Sequence, residues 1–236
     1  MSGSSGYNMF KSGFVFGQYF NWQGIRMFWT TLLFNRRAFI PHVRAHSVAD
    51  IDYRKLHAAG IRYVIFDKDN TLTEPYSHAY FNERVRHAIL EECKGAFGIK
   101  NIAMLSNSVG SKDDKGNHEA RAVEKSMEIA VIRHALKKPA VHDDIMHHFN
   151  AREEDKIAIV GDRILSDVVL GNSLGMFTIY VDPLNVSKEN KIVRCVRWFE
   201  DKALTWILPR DKEPLKHLTV KKEVLSDLVR TKSDEK

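Results

Sequence analysis

Cysteine is scarce: Cys93 and Cys195 are the only two in 236 residues, far apart and without a metal-ligand spacing. That leaves a disulfide framework and a zinc ribbon unsupported and makes a reducing compartment the default. Long hydrophobic runs are missing as well. Charged and polar residues interrupt every candidate before it reaches the roughly 18 consecutive apolar residues of a membrane-crossing helix, so the chain is not expected to span a bilayer. No internal repeat is evident. The opening stretch Met1 to Gly6 is uncharged and too short for a targeting peptide, and residues 1–7 read as a flexible leader outside the fold.

What is present begins with charge. A net charge of +6 biases partners toward anions: nucleic acid, an anionic membrane surface or a phosphorylated small molecule. Charge alone does not choose among them. The length suits one domain with a full core plus appendages.

Residues 8–40 are the most aromatic part of the chain, from Phe10 to Phe34. Within them Ile25, Phe28, Trp29, Leu32 and Leu33 fall on one helical face, with Lys11, Arg26, Arg36 and Arg37 around it. Such a stripe suits a headgroup layer, with Trp29 and Phe28 at acyl depth and Arg36 and Arg37 on phosphates. It suits equally well the protein's own core or a second subunit, because both burials use the same face. Residues 41–59 read as a connecting loop and short helix. Apolar runs at 63–66, 102–105, 129–132, 157–160 and 177–181 then alternate with helix-compatible segments at 81–95, 119–127, 142–149 and 166–174. That alternation predicts an α/β fold with a parallel sheet covered by helices on both faces. Residues 187–208 form a further amphipathic helix, a second candidate for membrane or oligomer contact, and 209–236 a charged tail with a short helix near Val224 to Val229.

The chemistry gathers at the strand ends. The run Tyr63 to Phe66 stops at Asp67 and Asp69, with Thr71 close behind; the second strand ends in Ser106 and Asn107; Lys137 and Lys138 follow the third; the fourth ends in Gly161 and Asp162, with Asp167 beyond. A capped turn would also place acids after a strand. Parallel strands, however, present all these ends at one crevice, where open α/β sheets keep their sites. Each residue type there has a task in phosphoryl transfer. An ionised Asp67 can attack phosphorus, provided that a hard cation such as Mg²⁺ offsets the repulsion between carboxylate and phosphate. Asp67 and Asp162 are the natural ligands, with a main-chain carbonyl near Asp69 a further one. Asp69 can protonate the leaving oxygen and later take a proton from water. Lys138 would neutralise the transferring group, while Thr71, Ser106 and Asn107 hold its oxygens.

Taken together, Asp67-Lys-Asp69-Asn-Thr71, Ser106, Lys138 before Pro139, and Gly161-Asp162 with Asp167 resemble the motifs of the haloacid dehalogenase superfamily of phosphatases. The resemblance implies a Rossmann-like sheet ordered 5-4-1-2-3, an aspartyl-phosphate intermediate and Mg²⁺ dependence, with residues 41–186 as the phosphatase domain. Only 37 residues separate Asp69 from Ser106 and 32 separate Ser106 from Lys138, room for a helix and a strand but only a minimal cap. An open site suits a bulky or surface-presented substrate.

The finer wording, Phe66-Asp-Lys-Asp-Asn-Thr-Leu-Thr, Leu105-Ser-Asn-Ser, Val160-Gly-Asp-Arg-Ile-Leu-Ser-Asp-Val and Val181-Asp-Pro-Leu, is similar to the mitochondrial phosphatidylglycerophosphate phosphatases and their bacterial relatives over residues 20–208. That similarity implies hydrolysis of phosphatidylglycerophosphate to phosphatidylglycerol on the route to cardiolipin, by a peripheral protein at the matrix face of the mitochondrial inner membrane. An anionic phospholipid surface is then the partner, a homo-oligomer is possible, and nucleic acid is not expected. Two other readings stay open: a capless phosphatase of phosphoprotein or nucleic-acid termini, and a membrane-associated oligomeric scaffold with an idle site. Among the remaining residues, Asp167 reads as a support to the cation's ligands. His142, Asp143, Asp144, His147 and His148 read as a solvated helix face, and Gly110 to His118 as a loop beside the second motif.

Overall fold

The apolar runs assemble into one six-stranded, all-parallel sheet. The computed structural model describes residues 30, 35–134, 138, 141–188, 197–198 and 213–230. Its strands are β1 (Val43–Ala45), β2 (Tyr63–Phe66), β3 (Ile102–Met104), β4 (Ala130–Val131), β5 (Ile157–Gly161) and β6 (Phe177–Val181), in the order β1-β6-β5-β2-β3-β4. The five strands expected from the sequence therefore stand in the order 5-4-1-2-3, and one more is added at the edge. Strand β1 lies where a connecting loop was expected. Three residues with Arg44 in the middle are too few to show an alternating pattern. Their register comes from β6, which pairs Val43 with Ile179 and Ala45 with Val181, and the Arg44 guanidinium lies 5.0 Å above the Tyr180 ring.

Strand β2 is the central one, buried between β5 and β3. Its side chains alternate between two cores. Val64 and Phe66 join a cluster with α1 (Tyr53–Ala58), with α4 (His118–Met127) and with a helical stretch that runs through α2 (Glu83–His87), a π-turned segment (Ala88–Cys93) and α3 (Lys94–Phe97). Ile65 faces the other way, toward Ile145 and Phe149 of α5 (His142–Phe149) and Leu170 of α6 (Val169–Ser173). Each such side chain contributes roughly 1.5–3 kcal/mol by leaving water, so a shift of one residue in β2 would exchange both faces and lose both cores.

Residues 213–230 are built into this body. Leu228, at the end of a 3₁₀ turn (Lys222–Leu228), is buried, Val229 bridges Ile51, and the Asp52 amide donates to the Leu228 carbonyl at 2.9 Å. Arg230 forks onto both carboxylate oxygens of Glu92 at 3.1 and 2.6 Å. Near the start of the described chain Ala38 and Phe39 are buried, and Arg37 donates to the carbonyls of Glu213 and Pro214 at 3.3 and 3.0 Å. Phe28, Trp29, Leu32 and Leu33 of the aromatic stripe lie outside the described residues, as does most of 187–208. Among the described residues no helix is long and apolar enough to cross a membrane.

Candidate active site

Strand β2 delivers Asp67 to the sheet's C-terminal edge, and the Asp67 amide continues the ladder by donating to the Val160 carbonyl at 2.8 Å. The chain then reverses tightly. Asn70 takes the left-handed conformation (φ 63°), its amide donates to the Thr73 carbonyl, and the amides of Leu72 and Thr73 both donate to the Lys68 carbonyl. Asparagine tolerates that backbone region better than most residues. Its side chain ties the turn to the chain after β6 by accepting from the Asn185 amide at 2.9 Å.

Around Asp67 the structure gathers three carboxylates and one ammonium. Lys138 Nζ donates to Asp67 Oδ1 at 2.6 Å and to Asp167 Oδ1 at 2.7 Å. Oxygens of Asp67, Asp162 and Asp167 all lie within 4.8 Å of one another. Asp162 is held on both sides, with Thr71 Oγ1 donating to Oδ1 at 3.2 Å and Arg197 Nη2 donating to Oδ2 at 2.6 Å. Asp167 is fixed by the Arg163 amide on Oδ2 at 3.2 Å. Gly161 makes room for it: a Cβ there would come within 2.4 Å of the Asp167 carboxyl. The Asp67 side chain is 12% exposed, whereas those of Lys138, Asp162 and Asp167 are sealed, so Asp67 is the carboxylate of the three that solvent, and hence a substrate, can reach.

The three carboxylates outnumber the Lys138 and Arg197 cations that contact them. Burial, reinforced by the Asp167 and Asp162 carboxylates and opposed by Lys138, pushes Asp67 up to about 7. Burial, with Asp167 beside it, pushes Asp162 up to about 6 against the pull of Arg197. Burial works against the Lys138 ammonium too, but Asp167 and Asp67 outweigh it and hold its pKa above the usual lysine range. Like charges about 4 Å apart repel by roughly 4 kcal/mol at an effective dielectric of 20, which a divalent cation would offset. Three convergent, all-oxygen donors fit Mg²⁺, and Asp67, Asp162 and Asp167 are the residues that would hold it.

Ser106 and Asn107 stand at the neighbouring strand end, where the Leu105 amide donates to the Phe66 carbonyl. Ser106 is buried, its hydroxyl accepts from the amides of Ser108 and Val109, and its carbonyl accepts from His134 Nε2 at 2.7 Å. Asn107 Oδ1 accepts from the Lys138 amide at 3.2 Å, which anchors the lysine's backbone beside the hydroxyl. Asp69 stands apart from the carboxylate cluster. Its Oδ1 accepts from Lys68 Nζ at 2.7 Å and from the Tyr76 amide at 3.0 Å, and the side chain is one-third exposed. On the histidine-rich face of α5, His142 lies between the carboxylates of Asp143 and Glu154, each at 2.9 Å.

Three features go beyond the sequence reading. Asp167 is a full member of the cluster rather than a support behind it. Lys68 is buried against Asp69 and Thr73, an orientation that its place between two acids did not signal. Arg197, from the segment read as an amphipathic helix, reaches Asp162 across 35 residues of sequence. Its neighbours suggested only a charged helix face.

A parallel sheet of this order, with acid, hydroxyl, lysine and acid at one edge, defines an α/β protein with the haloacid dehalogenase-like fold. Residues 24–185 match the profile of the family described as Mitochondrial PGP phosphatase, and the chain belongs to that family, PGP being phosphatidylglycerophosphate. It is 38% identical over 206 residues to phosphatidylglycerophosphate phosphatase 1, chloroplastic/mitochondrial, of Arabidopsis thaliana, an alignment covering 86% of this chain and 58% of that one. It is 37% identical over 174 residues to phosphatidylglycerophosphate phosphatase 1, chloroplastic, of Chlamydomonas reinhardtii, covering 73% of this chain and 63% of the relative. The mitochondrial phosphatidylglycerophosphatase of Saccharomyces cerevisiae is 30% identical over 132 residues, 54% of this chain and 70% of that one. The chain thus spans about three-fifths of the length of the two plant and algal relatives. No solved structure matches it.

Proposed function

We propose that the chain is a phosphatidylglycerophosphate phosphatase that removes the terminal phosphate to leave phosphatidylglycerol, the precursor of cardiolipin. The observation that carries this reading is Asp67: a solvent-reaching carboxylate among sealed Asp162, Asp167 and Lys138, in a chain of this family. Asp67 attacks phosphorus, and the bond from phosphorus to the glycerol oxygen breaks as the bond to Asp67 forms. Asp69, protonated from solvent once the bound substrate draws it from Lys68, gives that proton to the departing alkoxide. It then takes one from the water that splits the aspartyl-phosphate, restoring the Asp67 carboxylate and releasing inorganic phosphate. Ser106 and Asn107 hold the phosphoryl oxygens and Lys138 neutralises their charge, while Thr71, expected beside them, donates its hydroxyl hydrogen bond to Asp162. Mg²⁺, held by Asp67 and Asp162 with Asp167 and the main chain near Asp69 beside them, would supply electrostatic stabilisation of the transferring group.

The substrate is a lipid presented at a surface, which suits the small insert between Asp69 and Ser106. The basic balance of the chain and its aromatic segment 8–40, with Phe28, Trp29, Leu32, Leu33, Arg36 and Arg37, support docking on anionic membrane at the matrix face of the mitochondrial inner membrane. Several of the relatives are named as mitochondrial proteins. The test is Asp67→Asn, assayed for phosphate release from phosphatidylglycerophosphate vesicles. The expected result is a loss on the order of 10³-fold or more with the fold intact by circular dichroism. Full activity in that variant would overturn the mechanism, and a strong preference of the wild type for a phosphopeptide would overturn the substrate.

A further inference from the structure

We propose that Arg197 is a positioning residue of this site, supplied by the chain beyond β6 to hold Asp162 in place as a cation ligand. The inference rests on reading the cluster as a phosphatase centre. Arg197 is buried, and its guanidinium makes a two-pronged contact with a single residue: Nη1 donates to the Asp162 carbonyl at 2.8 Å and Nη2 to Oδ2 at 2.6 Å. The fork spans main chain and side chain, so it fixes the Asp162 rotamer as a lone ammonium does not. With Thr71 on Oδ1, neither oxygen of Asp162 is left to choose its own direction. Both oxygens keep lone pairs for a metal ion.

The charge count gives the fork a second consequence. Asp67, Asp162 and Asp167 carry three negative charges when ionised, and Lys138 returns one. A divalent cation would supply two more positive charges, and Arg197, in direct contact with Asp162, adds a further one that strengthens the attraction for a phosphomonoester dianion. Trp198, the next residue, is 61% exposed, so adjacent positions of one short helical segment face the site and the solvent respectively. This assigns the chain after β6 a part in the site itself.

The test compares the full-length chain with Arg197→Ala, Arg197→Lys and Trp198→Ala. Mg²⁺ affinity is read by titration calorimetry without substrate, and kcat and KM by turnover of para-nitrophenyl phosphate. In Arg197→Ala we expect Mg²⁺ binding and kcat each weakened about 10–100-fold, the range for outer residues of metal sites. Arg197→Lys should recover only part, because an ammonium makes no fork. Guanidinium ion added to Arg197→Ala should restore activity at unchanged fold. Mg²⁺ affinity within about twofold of wild type in folded Arg197→Ala or, should that variant not fold, in Arg197→Lys would overturn the proposal. So would equal losses in Trp198→Ala, which would place the effect in the segment rather than the guanidinium. An active wild type with indifferent Arg197 variants sinks this inference alone, whereas a wild type inert toward every phosphomonoester sinks the phosphatase reading beneath it.

Discussion

Asp67, Asp162 and Asp167 outnumber the Lys138 and Arg197 cations that contact them, and on the proposed reading the site's stability should depend on pH and a bound cation together. A carboxylate raised to about 7 in the fold, as Asp67 is, keeps its proton where the unfolded chain, with its ordinary value of 3.8, has lost it. Between those values the unfolded state binds fewer protons, so this group's contribution to stability falls as pH rises through roughly 4 to 7. A cation that neutralises the cluster reverses the loss. Mg²⁺ should therefore raise Tm more at pH 8 than at pH 5, and chelation should lower it most at the higher pH; calorimetric scans at the two values check this. Gly161 gives a second prediction. Adding a methyl there pushes on the Asp167 carboxyl, which Lys138 and the Arg163 amide hold from the other sides. Gly161→Ala should lower kcat by about tenfold or more and cost roughly 1–3 kcal/mol of stability, measured by turnover and urea unfolding. The carboxylates, hydroxyl and lysine of this site were legible as residue types at successive strand ends. The orientation of Asp69 toward Lys68 was not, because no spacing rule says which way a side chain in a tight turn will face.

At the scale of elements, the five strands expected from the sequence and their covering helices follow from the pattern of apolar runs, since each strand lies in a run that dominates its segment. Strand β1 and the packed tail do not, because their order comes from partners distant in sequence. His42 illustrates this, sitting between the edge strand and the body. Its Nδ1 accepts from the Thr178 amide at 3.1 Å, and burial, with His217 nearby, lowers its pKa to about 4. The unfolded chain takes up a proton near pH 6.5 that the folded ring refuses, so stability from this group is present above that value and is lost as pH falls toward 4. The loss is on the order of 3 kcal/mol at the lower end. His42→Asn, which keeps an acceptor but does not titrate, should show a shallower decline of stability with acid than wild type in equilibrium unfolding at stepped pH. Leu228 tests the tail. A charged, lysine-rich ending suggested little beyond a short helix, yet this side chain is buried against the main core. Leu228→Ala should cost about 2–5 kcal/mol, seen as a lower Tm, and an unchanged Tm would show that the tail adds nothing to the fold.

The whole molecule combines an edge-of-sheet acid cluster, a small insert in place of a lid, and a basic, aromatic flank in a chain of the mitochondrial phosphatidylglycerophosphate phosphatase family. The fold and the residue types gathered at the candidate site could be read from the sequence because they fall at successive strand ends. Arg197 could not, since its approach to Asp162 depends on how the chain returns over the sheet after β6. On the proposed function, a lipid substrate would have to meet Asp67, the carboxylate of the cluster that solvent reaches, while its acyl chains stay in a bilayer. The central claim is tested most directly by inorganic phosphate release from phosphatidylglycerophosphate in anionic vesicles, with a soluble phosphomonoester and a phosphopeptide alongside, each with and without Mg²⁺. The account predicts Mg²⁺-dependent release, with kcat/KM for the lipid at least about tenfold above either soluble ester, a difference of roughly 1.4 kcal/mol in transition-state stabilisation. Equal or better turnover of the phosphopeptide, or release unaffected by removing Mg²⁺, would contradict it.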